Sequence, residues 1–254
     1  MHRGDIAPNR LQRASRDAWT ATGGHMDRRH TRWDNRAIDC VTAMTTENPP
    51  TALLEAEGLT FLRQDEPVFG PLDFALCAGE VLLVEGDNGS GKTTLMRVIV
   101  GLLRADAGEL RLDGAALDRE LSRGRILFLA HHLGLKADLS PLENLRVAVG
   151  LYGCREAITP EQALHTVGLQ GYEHEPVRQL SAGQKKRSAL ARLLLVPADI
   201  WLLDEPFANL DREGIALVNR LIERHADAGG AVMVTSHGAV TFLHGEPRRL
   251  RLSA

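Results

Sequence analysis

The stretch "GDNGSGKTT", Gly86 to Thr94, follows the apolar run "VLLVE" and leads into "LMRVIV". Gly86, Asp87, Asn88, Gly89, Ser90 and Gly91 read as a loop whose glycines let the backbone curl and turn its N–H groups inward around an anion. A helix beginning near Lys92 adds the positive end of its dipole. Lys92 supplies a cation that reaches the outer phosphates of a nucleotide. The Thr93 hydroxyl is a hard oxygen ligand for Mg²⁺, and Thr94 continues the same first turn. Such a loop needs a strand before it and a helix after it, so the chain is expected to be α/β.

The rest of the chain repeats that alternation. "LLEAEGLTF" (53–61), "VLLVEG" (81–86), "ELRLDG" (109–114), "RILFLA" (125–130), "DIWLLDE" (199–205), "AVMVTSH" (231–237) and "RRLRLSA" (248–254) read as strands. Helices are expected after Gly91, after the capping box of Ser140 and Glu143, after the similar start at Thr159 to Gln162, after Ser181, and from about Arg212 to Ala228 before Gly229-Gly230. Short, nearly all-apolar strands alternating with helices imply a parallel sheet covered on both faces.

Residues 1–36 hold eight arginines and no lysine, without an apolar period. Residues 1–50 are therefore read as a disordered extension, with Met44 an alternative start, and 51–254 as one domain. No unbroken apolar centre marks a signal peptide, and no apolar run approaches the length of a membrane helix. A formal net charge of −3 gives no case for a nucleic-acid partner. Cys40, Cys77 and Cys154 are far apart and form no metal or redox spacing, so they read as reduced thiols.

"IWLLDEP" supplies a second acidic element. Asp204 at the strand end suits Mg²⁺, and Glu205 can polarise a water for attack. His237 closes the next strand at the same carboxyl edge, where a γ-phosphate contact is useful. "LSAGQ" (180–184) is a second anion-type loop at a helix start, with Ser181 and the Gly183 N–H facing a phosphate.

Together with "ANLD" (208–211), these motifs in this order resemble the nucleotide-binding subunit of ATP-binding-cassette transporters, over Leu53 to about Ala254. The resemblance implies a P-loop NTPase fold with a mostly parallel core sheet, an antiparallel β portion and a helical subdomain at about 133–179. It implies Mg²⁺-dependent ATP hydrolysis in a head-to-tail homodimer. There Ser181, Gly183 and Gln184 of one subunit cap the ATP held by the phosphate loop of the other, and Asp211 takes its usual place beside it. Asp87, Asn88, Ser90 and Thr94 join the glycines, Lys92 and Thr93 at the nucleotide; Thr93 and Asp204 hold the metal; Glu205, His237 and Lys92 carry the chemistry.

"AHHLGLKADLSPLENL" (130–145) and "WLLDEPFANLDREG" (201–214) are similar, more narrowly, to the ATP-binding subunits of cytochrome c maturation, the haem-exporter type. That likeness implies a peripheral place on the cytoplasmic face of a bacterial inner membrane. It also implies an integral-membrane permease and other cytochrome c maturation membrane proteins as partners. The alternatives are the ATPase of another small bacterial exporter, a soluble cassette ATPase not coupled to transport, and a non-hydrolysing scaffold. Seventeen residues follow His237, which leaves no room there for a second cassette, and intact Lys92, Asp204, Glu205 and His237 speak against the scaffold. Two positions depart from the family pattern. His132 stands where the family places a Gln, and the hardness of Mg²⁺ implies that His132 meets the metal through water. Arg63 stands where an aromatic usually stacks on adenine, a role a guanidinium can also fill, while Phe61 is expected in the core.

Overall fold

Val, Leu and Ile recur in runs too apolar to expose either side, and the chain sorts those runs into a central sheet. A computed structural model describes residues 52–236 and 247–252. The expected extension at 1–50 and His237 lie outside the described residues. Two long strands, β1 (Ala52–Arg63) and β2 (Glu66–Cys77), precede β3 (Val81–Glu85) and α1 (Lys92–Ile99). Next come β4 (Ala107–Leu112), β5 (Ala115–Ala116), the one-turn α2 (Arg119–Ser122) and β6 (Ile126–Leu129). Helices α3 (Pro141–Tyr152), α4 (Pro160–Thr166) and α5 (Ala182–Leu195) lead to β7 (Ile200–Asp204). The described chain closes with α6 (Arg212–Asp227), β8 (Ala231–Thr235) and β9 (Arg248–Arg251).

One sheet is parallel, in the order β6-β7-β8-β3-β9; the other is antiparallel, in the order β2-β1-β4-β5. The strand pleat divides the core in two. Leu83, Trp201, Leu203, Val232 and Val234 face α5, α6, α3 and α4. Their neighbours Leu82, Val84, Ile200, Leu202 and Met233 face α1 and the antiparallel sheet. The parallel sheet is thus covered on both faces, as its apolar runs imply.

Strand β2 was not anticipated. Pro67, Gly70 and Pro71 interrupt its apolar pattern, yet it lies at the edge of its sheet, where missing N–H donors are tolerated. Gly70 is required there: at φ 108, a Cβ would come within 2.4 Å of the Leu59 carbonyl oxygen. Phe61 stacks on Phe69 at 6.2 Å and packs against the second core, as expected. Among the described residues, no helix is long and apolar enough to cross a membrane.

The capping boxes at Ser140, Thr159 and Ser181 all form, each with both reciprocal hydrogen bonds. At the other end of the fold, the His225 ring stacks on Trp201 at 3.9 Å and meets the Asp199 carbonyl oxygen through Nε2 at 3.1 Å. Burial pushes this imidazole down to about 4, against the opposing pull of the Asp199 contact. The folded protein keeps His225 neutral while the unfolded chain takes up a proton near 6.5, so stability is lost as pH falls from that value toward 4. The slope in that window approaches at most about 1.4 kcal/mol per pH unit. His225→Phe preserves the ring stack and is expected to flatten this acid loss. Urea midpoints at pH 7 and pH 5 measure it; equal losses in wild type and variant would exclude His225 as the source.

Candidate nucleotide site

The phosphate loop opens at the carboxyl end of β3. Gly86 has φ 154, and a Cβ there would lie 2.4 Å from Ser90 Oγ and 2.5 Å from the Leu252 carbonyl oxygen. Gly91 has φ 92, with Val68 and Phe69 of β2 packed over it. The Ser90 N–H donates to the Asp87 carbonyl at 3.1 Å and closes the turn. Lys92 is 6% exposed, and its ammonium donates to the carbonyls of Gly86 at 2.6 Å and Asp87 at 2.9 Å. The Ser90 hydroxyl is buried with no hydrogen-bond partner among the described residues. A glycine-built loop with a buried lysine and an unsatisfied hydroxyl fits a nucleotide phosphate. Gly86→Ala forces a Cβ into the Ser90 side chain and the Leu252 carbonyl oxygen, and is expected to weaken ATP binding at least about tenfold. A fluorescent-nucleotide titration measures this.

Asp204 is 1% exposed at the end of β7. Its carboxylate accepts from the Thr93 hydroxyl at 2.9 and 3.2 Å, so the two residues expected at the metal are in direct contact. It also accepts from the Thr235 hydroxyl at 2.9 Å, and Thr235 Oγ1 in turn accepts from the Glu205 N–H at 2.9 Å. Thr235 was not foreseen. The signal was the parallel register, which pairs Asp204 with Thr235 at the ends of β7 and β8. Among the described residues no group of three or more His, Cys, Asp or Glu side chains could hold a metal. A hydroxyl and one carboxylate fit Mg²⁺, which takes its remaining ligands from phosphate and water.

Glu205 follows at φ 51, in the left-handed region. Its carbonyl accepts from the Lys186 ammonium at 2.9 Å. Among the described residues, the His131 imidazole approaches its carboxylate, with Nδ1 4.0 Å from Oε2. His132, expected beside the metal, is exposed and sets its ring edge-on to His131 at 5.7 Å. Arg63 is exposed at the end of β1, opposite Glu66.

The second anion loop forms the start of α5. Ser181 Oγ accepts from the Gln184 N–H at 3.2 Å, and the Gln184 side-chain oxygen accepts from the Ser181 N–H at 2.9 Å. The Gln184 side-chain oxygen is therefore engaged in the cap. The Ala182 and Gly183 N–H groups, in the first turn, lie outside the helix's own ladder. An open cavity of about 450 Å³ is lined by Ser181, Gly183, Gln184, Arg187, Asn209 and Asp211, with Leu210 beside them. No residue of the phosphate loop lines it. Asp211 caps α6 through the Gly214 N–H at 2.8 Å and pairs with Arg187 at 3.0 Å. The Gly214 hydrogen bond, with Arg187 adding to it, holds the Asp211 carboxyl below its ordinary value. Helix α5 grips two further carbonyls, Val167 through Arg187 at 3.1 Å and Leu133 through Arg192 at 2.8 Å.

Residues 69–208 match the family model described as "ABC transporter". The chain is 57% identical over 206 residues to the Cytochrome c biogenesis ATP-binding export protein CcmA of Xanthomonas campestris pv. campestris, covering 81% of this chain and 95% of that protein. It is 47% identical over 213 residues to the protein of the same name from Xylella fastidiosa, covering 84% and 98%. Among solved structures, a putative ABC transporter ATP-binding protein from Pyrococcus furiosus superposes with a TM-score of 0.67 at 27% identity, covering 78% of this chain and 96% of that one.

Proposed function

The chain belongs to the ABC transporter family, and we propose that it is the ATP-hydrolysing subunit of an export system for c-type cytochrome biogenesis, of the haem-export type. The observation that carries this reading is the contact of Thr93 with Asp204 beside the phosphate loop, with Glu205 one residue beyond. The printed function of the relatives, which align over nearly their full length, supports the pathway.

In this reading the loop from Gly86 to Thr94 binds the phosphates of ATP through its N–H groups, and Lys92 offsets charge on the β and γ oxygens. Thr93 and Asp204 would hold Mg²⁺, which would supply positive charge against the phosphates. Glu205 accepts a proton from the attacking water, since its carboxylate stands past the metal pair and is only partly exposed. His237, outside the described residues, is assigned the γ-phosphate contact on its place in the sequence. The Ser181 loop takes the phosphate of a second subunit's ATP, which explains why it opens on a cavity without phosphate-loop residues. Asp211 lines that cavity and sets the loop between Glu205 and α6. Loss of the γ-phosphate releases the dimer, and an integral-membrane permease, against which this subunit sits at the cytoplasmic face of the inner membrane, feels the opening through the segment 133–179.

The test is complementation. A bacterium lacking its own ATP-binding subunit of this system should regain membrane c-type cytochromes, read by haem absorbance, with wild type and not with Glu205→Gln. Robust ATP hydrolysis in vitro without restored cytochromes would separate the ATPase from this pathway and favour another small exporter.

A further inference from the structure

Left-handed backbone at a residue with a Cβ is disfavoured, and it persists only where neighbours hold it. Glu205 adopts it at φ 51. Both of its own main-chain polar groups are gripped by side chains: the N–H by Thr235 Oγ1 at 2.9 Å, the carbonyl by Lys186 Nζ at 2.9 Å, with the Ala208 N–H adding a longer contact to that carbonyl at 3.3 Å. Thr235 is 0% exposed and Lys186 4%. A buried ammonium is costly, and an apolar side chain of equal length could occupy the same path. Burial pushes Lys186 down while the Asp204 and Glu205 carboxylates push it back up, so the site sustains a cation at some expense.

Lys186 lies five residues past Ser181, on the same helix. Arg187, its neighbour, holds Asp211. Helix α5 therefore grips the segment 205–211 at both ends, through Lys186 at the first residue and Arg187 at the last. A helix of 14 residues moves as a unit, so displacement of its Ser181 end is carried to Glu205.

We propose that Lys186 is a positioning residue for hydrolysis: its grip on the Glu205 carbonyl holds that residue's left-handed backbone and ties the aim of the Glu205 carboxylate to the helix bearing the Ser181 loop. The inference rests on Glu205 being the base, as proposed above. It adds a link between the two ends of α5. The end that reads the second subunit's phosphate is joined to the carboxylate that acts on this subunit's own nucleotide.

The experiment compares the purified full chain with Lys186→Met, Lys186→Gln, Lys186→Arg and Glu205→Gln. Steady-state kcat is measured at saturating MgATP, and nucleotide affinity by titration with a fluorescent ATP analogue. Lys186→Met removes the donor and is expected to lower kcat at least about tenfold through a misaimed base, with affinity within about threefold of wild type. Lys186→Gln and Lys186→Arg keep an N–H donor and are expected to recover most of that loss. A Lys186→Met enzyme with kcat within about twofold of wild type overturns the proposal. So do donor-bearing variants no better than Met, which would assign the residue to charge or packing. A parallel fall of kcat and affinity overturns it as well, as a general structural defect. Should Lys186→Met be insoluble, Lys186→Leu replaces it under the same criteria. Glu205→Gln separates the two ideas. Wild-type turnover there removes the base assignment itself, whereas an inactive Glu205→Gln beside a fully active Lys186→Met removes only the positioning role.

Discussion

Purified Lys92→Ala is expected to hydrolyse ATP at least about 100-fold more slowly than wild type. Two losses combine. The first is the cation itself, which meets charge developing on the outer phosphates in a dry site. The second is the shape of the loop. Lys92 draws the carbonyls of Gly86 and Asp87 toward itself. In a planar trans peptide the N–H points opposite to the C=O, so those two contacts turn the N–H groups of Asp87 and Asn88 away from Lys92. Alanine keeps helix α1, having high helix propensity, but releases both carbonyls. ATP affinity should therefore fall along with turnover. Phosphate release and nucleotide titration measure the two effects, and wild-type turnover would sink the site assignment.

Glu205→Gln is expected to lower turnover about 100- to 10,000-fold while ATP affinity stays within a few-fold of wild type. The carboxamide matches the carboxylate in size, so the main-chain contacts to Lys186 and Thr235 need not change. What is lost is the ability to take a proton from water at neutral pH. With hydrolysis blocked, ATP should hold two chains together through their phosphate and Ser181 loops. Size-exclusion chromatography with MgATP should show a dimer for Glu205→Gln that disperses on nucleotide removal. A monomer that still turns over ATP would contradict both the base and the dimer.

The parallel sheet was legible because strands buried on both faces must be apolar throughout, and such runs stand out in the sequence. Helix starts were legible where the chain wrote both halves of a capping box, at Ser140, Thr159 and Ser181. Strand β2 escaped because Pro67, Gly70 and Pro71 speak against a strand locally, and only its place at a sheet edge permits them. In the site, Gly86, Lys92, Thr93 and Asp204 carried their own chemical signature. Thr235 and Lys186 did not, since their contacts span 30 and 19 residues and depend on strand register and helix phase. Lys186 stands in "QKKR", a run that reads as solvated. Helical phase reads it differently: 186, 190 and 193 share one face, and Leu190 and Leu193 are both buried. The order of the two histidines was equally illegible. Only the turn after β6 decides that His131 approaches Glu205.

The capping box at Ser181 has a chemical consequence for what that loop can recognise. A serine hydroxyl can accept and donate, but here its oxygen already receives the Gln184 N–H, and the Gln184 side-chain oxygen already receives the Ser181 N–H. One lone pair of the Ser181 oxygen and the Gln184 side-chain oxygen are thus drawn into the cap, and the Ser181 hydroxyl proton and the first-turn N–H groups are the donors it leaves for a ligand. A surface of that kind discriminates by hydrogen-bond polarity. In the proposed role it favours a ligand made of bare acceptor oxygens, while the Asp211 carboxylate on the same cavity is held by Arg187 and the Gly214 N–H. In the proposed role the helix cap doubles as a reader of the terminal phosphate, a single serine serving both folding and recognition.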